Sequence, residues 1–481
     1  MLNRRSSLTR NPPPKALRLL FIAALLAMAL GTTPAKPVQA DPAPLAGAVS
    51  PGGLLIPDGT LDTNTGFQGT LDLRGWEVTL DGERGSLFKS VSRTDAPPIA
   101  WHALPNQGLN AGGVYALAVS GDDLYVGGKF TQTGDGSLTD LGRIARYDTT
   151  AGTWHALPNQ GLNGDVRALA VSGGDLYVGG RFKQTGDGSL TDLGNIARYD
   201  TTAGAWHALP NQGLYGYICD VLALAVSGGD LYVGGKFTQT VDGSLTDLGN
   251  IARFDTTAGA WHALPNQGLN GELEYGGVFT LAVFGGDLYV GGRFKQTGDG
   301  SLTDLGSIAR YDTTAGAWHA LLNQGLDDRV YKLAVSGDDL YVGGWFTRTG
   351  DGSLTDLGNI ARYDTTAGAW HALPNRGLNG VVGALAVSGD DLYVGGSFTQ
   401  TGDGSLTDLG RIARYHITAG AWQALPNKGL EEGGVGALAV SGDDLYVGGS
   451  FTQTGDGSLT DLGRIARCTL YVNVYIPLVV R

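Results

Sequence analysis

Repetition limits this chain more than any other feature. The tryptophans that open WHAL, or its variant WQAL, are Trp101, Trp154, Trp206, Trp261, Trp318, Trp370 and Trp422, spaced by 53, 52, 55, 57, 52 and 52 residues. Seven copies of LYVGG keep the same beat, beginning at Leu124, Leu176, Leu231, Leu288, Leu340, Leu392 and Leu445, and seven copies of IAR lie among them. Such a chain solves one local packing problem seven times, so its fold follows from the unit and not from the total of 481 residues. Each unit holds four short runs rich in β-formers. In the first unit they are VYALAVS, DLYVGGKF, RIARYDT and TWHALP, each bounded by Gly, Asp, Asn or Thr clusters. Glycine supplies 79 of the 481 residues, more than twice its usual share, and favours strands and tight turns.

A lone four-stranded sheet cannot bury both faces, but a ring of sheets lets each pack on two neighbours. The predicted fold is therefore all-β: a seven-bladed β-propeller with four antiparallel strands per blade. The first run of each unit is dominated by alanine, glycine, leucine and valine, which suits the crowded centre, while Trp and Tyr fall further out where blades splay apart. The seventh unit lacks a fourth run, and AWHALP, residues 100–105, stands unclaimed before the first complete unit. That N-terminal strand is expected to complete the last blade and so remove the exposed sheet edges of an open arc. The alternative is an outer strand supplied by LYVNVYIPLVV, residues 470–480.

An apolar run ending in Gly-Gly, followed by Tyr-x6-Trp, resembles the kelch-type repeat of β-propellers, as in the galactose-oxidase central domain. The motif reads Gly127-Gly128 with Tyr147 and Trp154, Gly179-Gly180 with Tyr199 and Trp206, and Gly234-Gly235 with Phe254 and Trp261. It continues as Gly291-Gly292 with Tyr311 and Trp318, Gly343-Gly344 with Tyr363 and Trp370, and Gly395-Gly396 with Tyr415 and Trp422. The seventh unit keeps Gly448-Gly449, but Cys468 stands in the aromatic position. The resemblance covers residues 101–470 and implies a fold more than a function. Copper-radical chemistry would need histidines beside tyrosines, and none of the seven histidines falls in the long loops.

Four segments are expected. Residues 1–40 read as a signal peptide, with Arg4, Arg5, Arg10, Lys15 and Arg18 preceding LLFIAALLAMAL and the small-residue stretch PAKPVQA. The 12-residue apolar run is too short to span a bilayer, which points to cleavage after Ala40 and a secreted, extracellular or cell-surface protein. Residues 41–100 read as a linker plus a β-hairpin around Trp76, expected to pack on the ring. The propeller covers 101–470, and 471–481 form an apolar tail. Without residues 1–40 the chain carries 27 Lys+Arg against 46 Asp+Glu, a net charge of −19. That charge argues against nucleic acid and anionic membranes. Two cysteines cannot form a disulfide framework, so stability must come from packing, and a monomer is expected.

Loops after the second and fourth strands, TQTGDGSLTDLG and PNQGLNG, are long and share one face, whereas SGDD and DTTAGA on the other are tight turns. The long-loop face is the expected binding face. TGDGSLTDLG recurs almost unchanged and offers aspartate pairs such as Asp135 and Asp140, Asp187 and Asp192, and Asp299 and Asp304. These are candidate calcium ligands, although the glycine and glutamate of an EF-hand loop are missing; the competing reading is a set of Asx-type turns. No other cofactor is expected. The IAR arginines are expected to pair with aspartates such as Asp123 and Asp175, and the histidines after each tryptophan lie too far apart to share a metal. The units differ most where one blade leads into the next. There stand Tyr215, Tyr217 and Asp220, then Glu272, Glu274 and Tyr275, then Asp327, Asp328 and Arg329, and last Glu431 and Glu432. Rings and carboxylates of this kind could gather into a carbohydrate-binding patch, or could simply mark loops under no selection. The function expected is a secreted, non-catalytic scaffold binding an extracellular protein or glycan. The alternative is an exported carbohydrate-active enzyme with its site in these irregular loops.

Overall fold

The computed structural model describes residues 99–110, 112–216, 220–271, 276–470, the isolated positions Leu54 and Thr60, and the strand backbones 68–72, 76–81, 85–90 and 475–479. Residues Pro98–Val472 form one compact unit. It holds seven antiparallel sheets with four blade strands each, the blades of a β-propeller, and in the fourth the short strand Leu269–Gly271 joins as a fifth. Blade 1 comprises Val114–Ser120, Asp123–Gly128, Ile144–Asp148 and Thr153–Ala156, and each later blade repeats the pattern. Blade 7 takes Val435–Ser441, Asp444–Gly449 and Ile465–Thr469 from the C-terminal end of the ring and its outer strand, Ala100–Ala103, from the N-terminal end. The N-terminal strand thus closes the ring. The C-terminal strand Tyr475–Val479 is instead paired antiparallel with Gln68–Asp72, and Trp76–Asp81 pairs with Gly85–Ser90, in a second unit.

The Gly-Gly pair explains how blades approach one another. A Cβ added at Gly127 would lie 2.4 Å from Cγ1 of Val166 on the inner strand of blade 2. The same valine-on-glycine contact recurs at every interface and ends with Val114 against Gly448, joining blade 1 to blade 7. The second glycine faces its own inner strand: a Cβ at Gly128 would meet the Gly113 carbonyl oxygen at 2.2 Å. Buried side chains fall into seven clusters, one per interface. In the second interface Tyr125 and Ile144 of blade 1 pack with Val166, Leu176, Val178 and Phe182 of blade 2.

The recurring tyrosine and tryptophan work as a unit. Tyr147 sits directly opposite Trp154 on the neighbouring strand, with ring centroids 4.9 Å apart. Trp154 Nε1 then donates to the Pro105 carbonyl oxygen, 3.1 Å away, in the connection that enters the blade. All seven tryptophans repeat this bond, from Trp206 to Pro158 round to Trp101 and Pro426. In blade 7, Cys468 takes the place opposite Trp101; it is fully buried, and burial pushes its thiol up to about 12.

Candidate functional site at the channel mouth

The structure accounts for most repeated polar groups by packing. Each IAR arginine pairs with the aspartate that opens the second strand of its own blade, from Arg146–Asp123 at 3.1 Å to Arg467–Asp444 at 3.3 Å. Asp135 is enclosed by donors. Its Oδ1 accepts from the Thr133 hydroxyl, the Ser137 hydroxyl and the Ser137 backbone N–H, while Oδ2 accepts from Asn106 Nδ2 at 3.1 Å. These bonds, led by those from Ser137, hold the Asp135 carboxyl far below the usual carboxylate range. Asp187 and Asp299 repeat the arrangement with Asn159 and Asn266. Asp140, Asp192 and Asp304 sit at positive φ and accept from the preceding threonine hydroxyl. Among the described residues no group of three His, Cys, Asp or Glu is placed to hold a metal ion.

Because Asn106 belongs to the connection between blades, these bonds also lock the two kinds of long loop together. Leu109 N donates across the blade boundary to the Gly463 carbonyl oxygen at 2.7 Å, and every boundary has the equivalent bond. The belt comes in two forms. Leu109, Leu162, Leu326 and Leu378 make isolated bridges, whereas Leu214–Tyr215, Leu269–Gly271 and Leu430–Glu431 pair as short strands with the loop after the second strand.

The irregular residues singled out from sequence are spread along this belt. Tyr217, Glu272, Glu274 and Tyr275 lie outside the described residues. Tyr215 is 52% exposed. Asp327 clasps its own loop, accepting from the backbone N–H of Thr347 and Arg348, a place that Asn110, Asn163 and Asn379 fill elsewhere. Asp328 is about half exposed, accepts from the Arg329 N–H and lines, with Asp327, a cleft of about 480 Å³ between blades 4 and 5. Glu431 pairs with Arg411 at 3.5 Å, and Glu432 accepts from the Thr452 hydroxyl. Asp220 is only 8% exposed; burial raises its pKa against the opposing pull of Arg167.

What the sequence reading passed over is the centre. In every blade the inner strand carries a β-bulge opposite Gly-Gly: Val114 faces Gly128, Ala116 faces Gly127, and Tyr115 between them is unpaired. A bulge re-aims a side chain, and these bulges lie at the end of the inner strand that the long loops feed. The seven bulge residues are Tyr115, Arg167, Leu222, Phe279, Tyr331, Gly383 and Gly436. Hardly another position in the strands varies so widely. Arg167 lies over the Tyr115 ring, 5.3 Å from its centroid, and pairs with Asp165 at 3.4 Å. Phe279 stacks on Tyr331 at 5.7 Å, Arg329 reaches the Tyr331 hydroxyl at 3.4 Å, and the same guanidinium lies 5.5 Å over the half-exposed Trp345. Beneath them is a cavity of about 100 Å³ between the inner strands. The signal for this site was present in the sequence as a column within the inner strand where the repeat stops repeating.

Seven four-stranded blades in a closed ring, each bearing Gly-Gly and, in six of them, the paired aromatic and tryptophan in sequence, make this protein a kelch-type β-propeller. No family model matches the chain. It is similar to the polarized growth protein rax2 of Schizosaccharomyces pombe, with 32% identity over 134 residues, 25% of this chain and 11% of that protein. The polarized growth protein L1 of a Phoma species is 38% identical over 96 residues, 20% of this chain and 7% of its own. The human Kelch repeat and BTB domain-containing protein 13 is 33% identical over 125 residues, 25% of each chain. The matches thus span at most a quarter of these relatives. Among solved structures, the computationally designed Ika8 protein aligns with a TM-score of 0.43 and 15% identity, over 76% of this chain and 98% of its own. The extracellular domain of a one component system from B. thetaiotaomicron aligns with a TM-score of 0.47 and 16% identity, over 78% of this chain and 40% of that one.

Proposed function

We propose that the protein is an exported, non-catalytic interaction scaffold that receives a protein partner on its long-loop face, centred on the channel mouth. The observation that carries this reading is the set of bulge residues. The scaffold is nearly invariant, yet the side chains aimed at the mouth are individual and include Tyr115, Arg167, Phe279 and Tyr331, with Trp345 beside them. Aromatic residues and arginine dominate the energetics of protein interfaces. Similarity to the human protein named for its kelch repeats supports an interaction role, and the basic, apolar and small-residue order of residues 1–40 supports export with cleavage after Ala40. The non-catalytic reading rests on the roles already taken: the recurring Arg–Asp pairs and enclosed aspartates serve the same packing task in each blade.

The test is a selection of random displayed peptides on purified residues 41–481, repeated on a variant carrying Tyr115→Ala, Phe279→Ala and Tyr331→Ala. Peptides enriched on the native chain and lost on the variant support the reading. Enriched peptides indifferent to the triple change, or turnover of a glycan panel by the native chain, would overturn it in favour of a rim site or of the carbohydrate-active alternative.

A further inference from the structure

We propose that the central channel is a carboxylate-binding site, anchored by the Lys332 ammonium and walled by leucine, which takes the carboxylate of a short apolar acid or of a peptide C-terminus. The starting point is a single departure from the repeat. Directly after the bulge, the inner strand carries alanine in five blades and threonine in one; in blade 5 it carries Lys332. Lys332 lines the cavity beneath the mouth together with Leu117, Leu169, Leu224, Leu281 and Leu438. Among the described residues Lys332 has neither a hydrogen-bond partner nor a counter-ion. The other cation lining the cavity, Arg167 of blade 2, is engaged, since it is held by Asp165 and faces Asp220 at 3.9 Å.

An ammonium without a counter-ion in a narrow cavity is costly, and an anion compensates it directly, while the leucines among the lining can take a short apolar tail. Size agrees. About 100 Å³ corresponds to roughly three water volumes, enough for a carboxylate and a few carbons. Access agrees too. Blades 6 and 7 carry Gly383 and Gly436 on their bulges and so leave a gap in the mouth beside blade 5, whereas Tyr115, Phe279 and Tyr331, the last on the same strand as Lys332, crowd the rest. A side chain could stand at either glycine: an added Cβ would come no closer than 3.5 Å to Val435 O at Gly383, or 3.6 Å to Val114 O at Gly436.

This inference rests on the channel mouth being the binding face, and its test reads a different group. Methyl-labelled residues 41–481 are titrated with butyrate, butyramide, and the tripeptide Gly-Gly-Leu with a free or amidated C-terminus, and leucine methyl shifts are followed by NMR. Saturable shifts are expected with the acids and not with the amides; response to butyrate alone assigns a free acid, and response to the tripeptide acid alone assigns a chain terminus. Lys332→Met should weaken binding on the order of tenfold or more, the usual worth of a charge-assisted bond. Gly383→Leu should block entry while leaving Lys332 in place. Both variants are checked by their melting curves. The proposal fails if no acid saturates the channel, if the amides bind equally, or if folded Lys332→Met binds as the native chain does. Loss of peptide capture in the triple aromatic variant with butyrate binding retained would separate the two readings.

Discussion

At the residue scale, the tryptophan bond to a backbone carbonyl is the repeated element with the clearest energetic consequence. Trp261→Phe keeps a ring against Phe254 but removes the N–H donated to Pro210 O, and should cost about 1 kcal/mol in denaturant unfolding. Trp370→Phe should cost the same although its acceptor is the carbonyl of Leu322, since the bond ignores the side chain of the acceptor residue. Lys332 has a pH signature. Enclosure alone lowers its pKa from 10.5, because the narrow channel solvates the ammonium poorly, so the unfolded chain binds the proton more tightly. Stability relative to Lys332→Met should therefore rise as pH climbs toward 10.5, as paired melting curves would show. The enclosed aspartates share that sign in an acidic window, so there too stability rises with pH. Carboxyls such as Asp135 and Asp187, held below 3.8, contribute stability that is present above that pH and disappears as acid protonates them in the folded state. With their oxygens already engaged by protein donors, added calcium or a chelator should leave the melting temperature unchanged. The Arg–Asp pairs were legible in the sequence because complementary charges recur on one beat. The carbonyl acceptors were not, since any residue supplies one. Asp327 looked individual but substitutes for an asparagine in the same clasp.

At the element scale, the strands were readable from short β-rich runs between turn residues, and the two loop classes from their lengths. The bulge was not. It is a register shift in the pairing of the first strand with Gly-Gly of the second, and so the pointing direction of Tyr115 or Arg167 could not be read from alternation within one strand. The glycine contact is directly testable. Gly234→Ala places a methyl 2.4 Å from Val278 Cγ1 and should destabilise by about 1–3 kcal/mol through overpacking. Adding Val278→Ala should recover part of that loss, because the two positions share one volume and their effects cannot add.

At the scale of the whole molecule, the ring depends on one seam joining residues at opposite ends of the propeller. The orphan AWHALP made this seam legible, since a fourth run was missing from the last unit and present before the first. Trp101 belongs to the core cluster between blades 6 and 7, so Trp101→Ala should cost about 3–5 kcal/mol in equilibrium unfolding. The seam also has an intermolecular consequence. A chain whose last blade is still three strands wide offers an edge that its own Ala100–Ala103 fits, and the same segment from another copy fits equally well. Refolding at high concentration should therefore yield exchanged dimers and longer concatemers, whereas dilution should favour single rings; size-exclusion chromatography across a dilution series would show the shift.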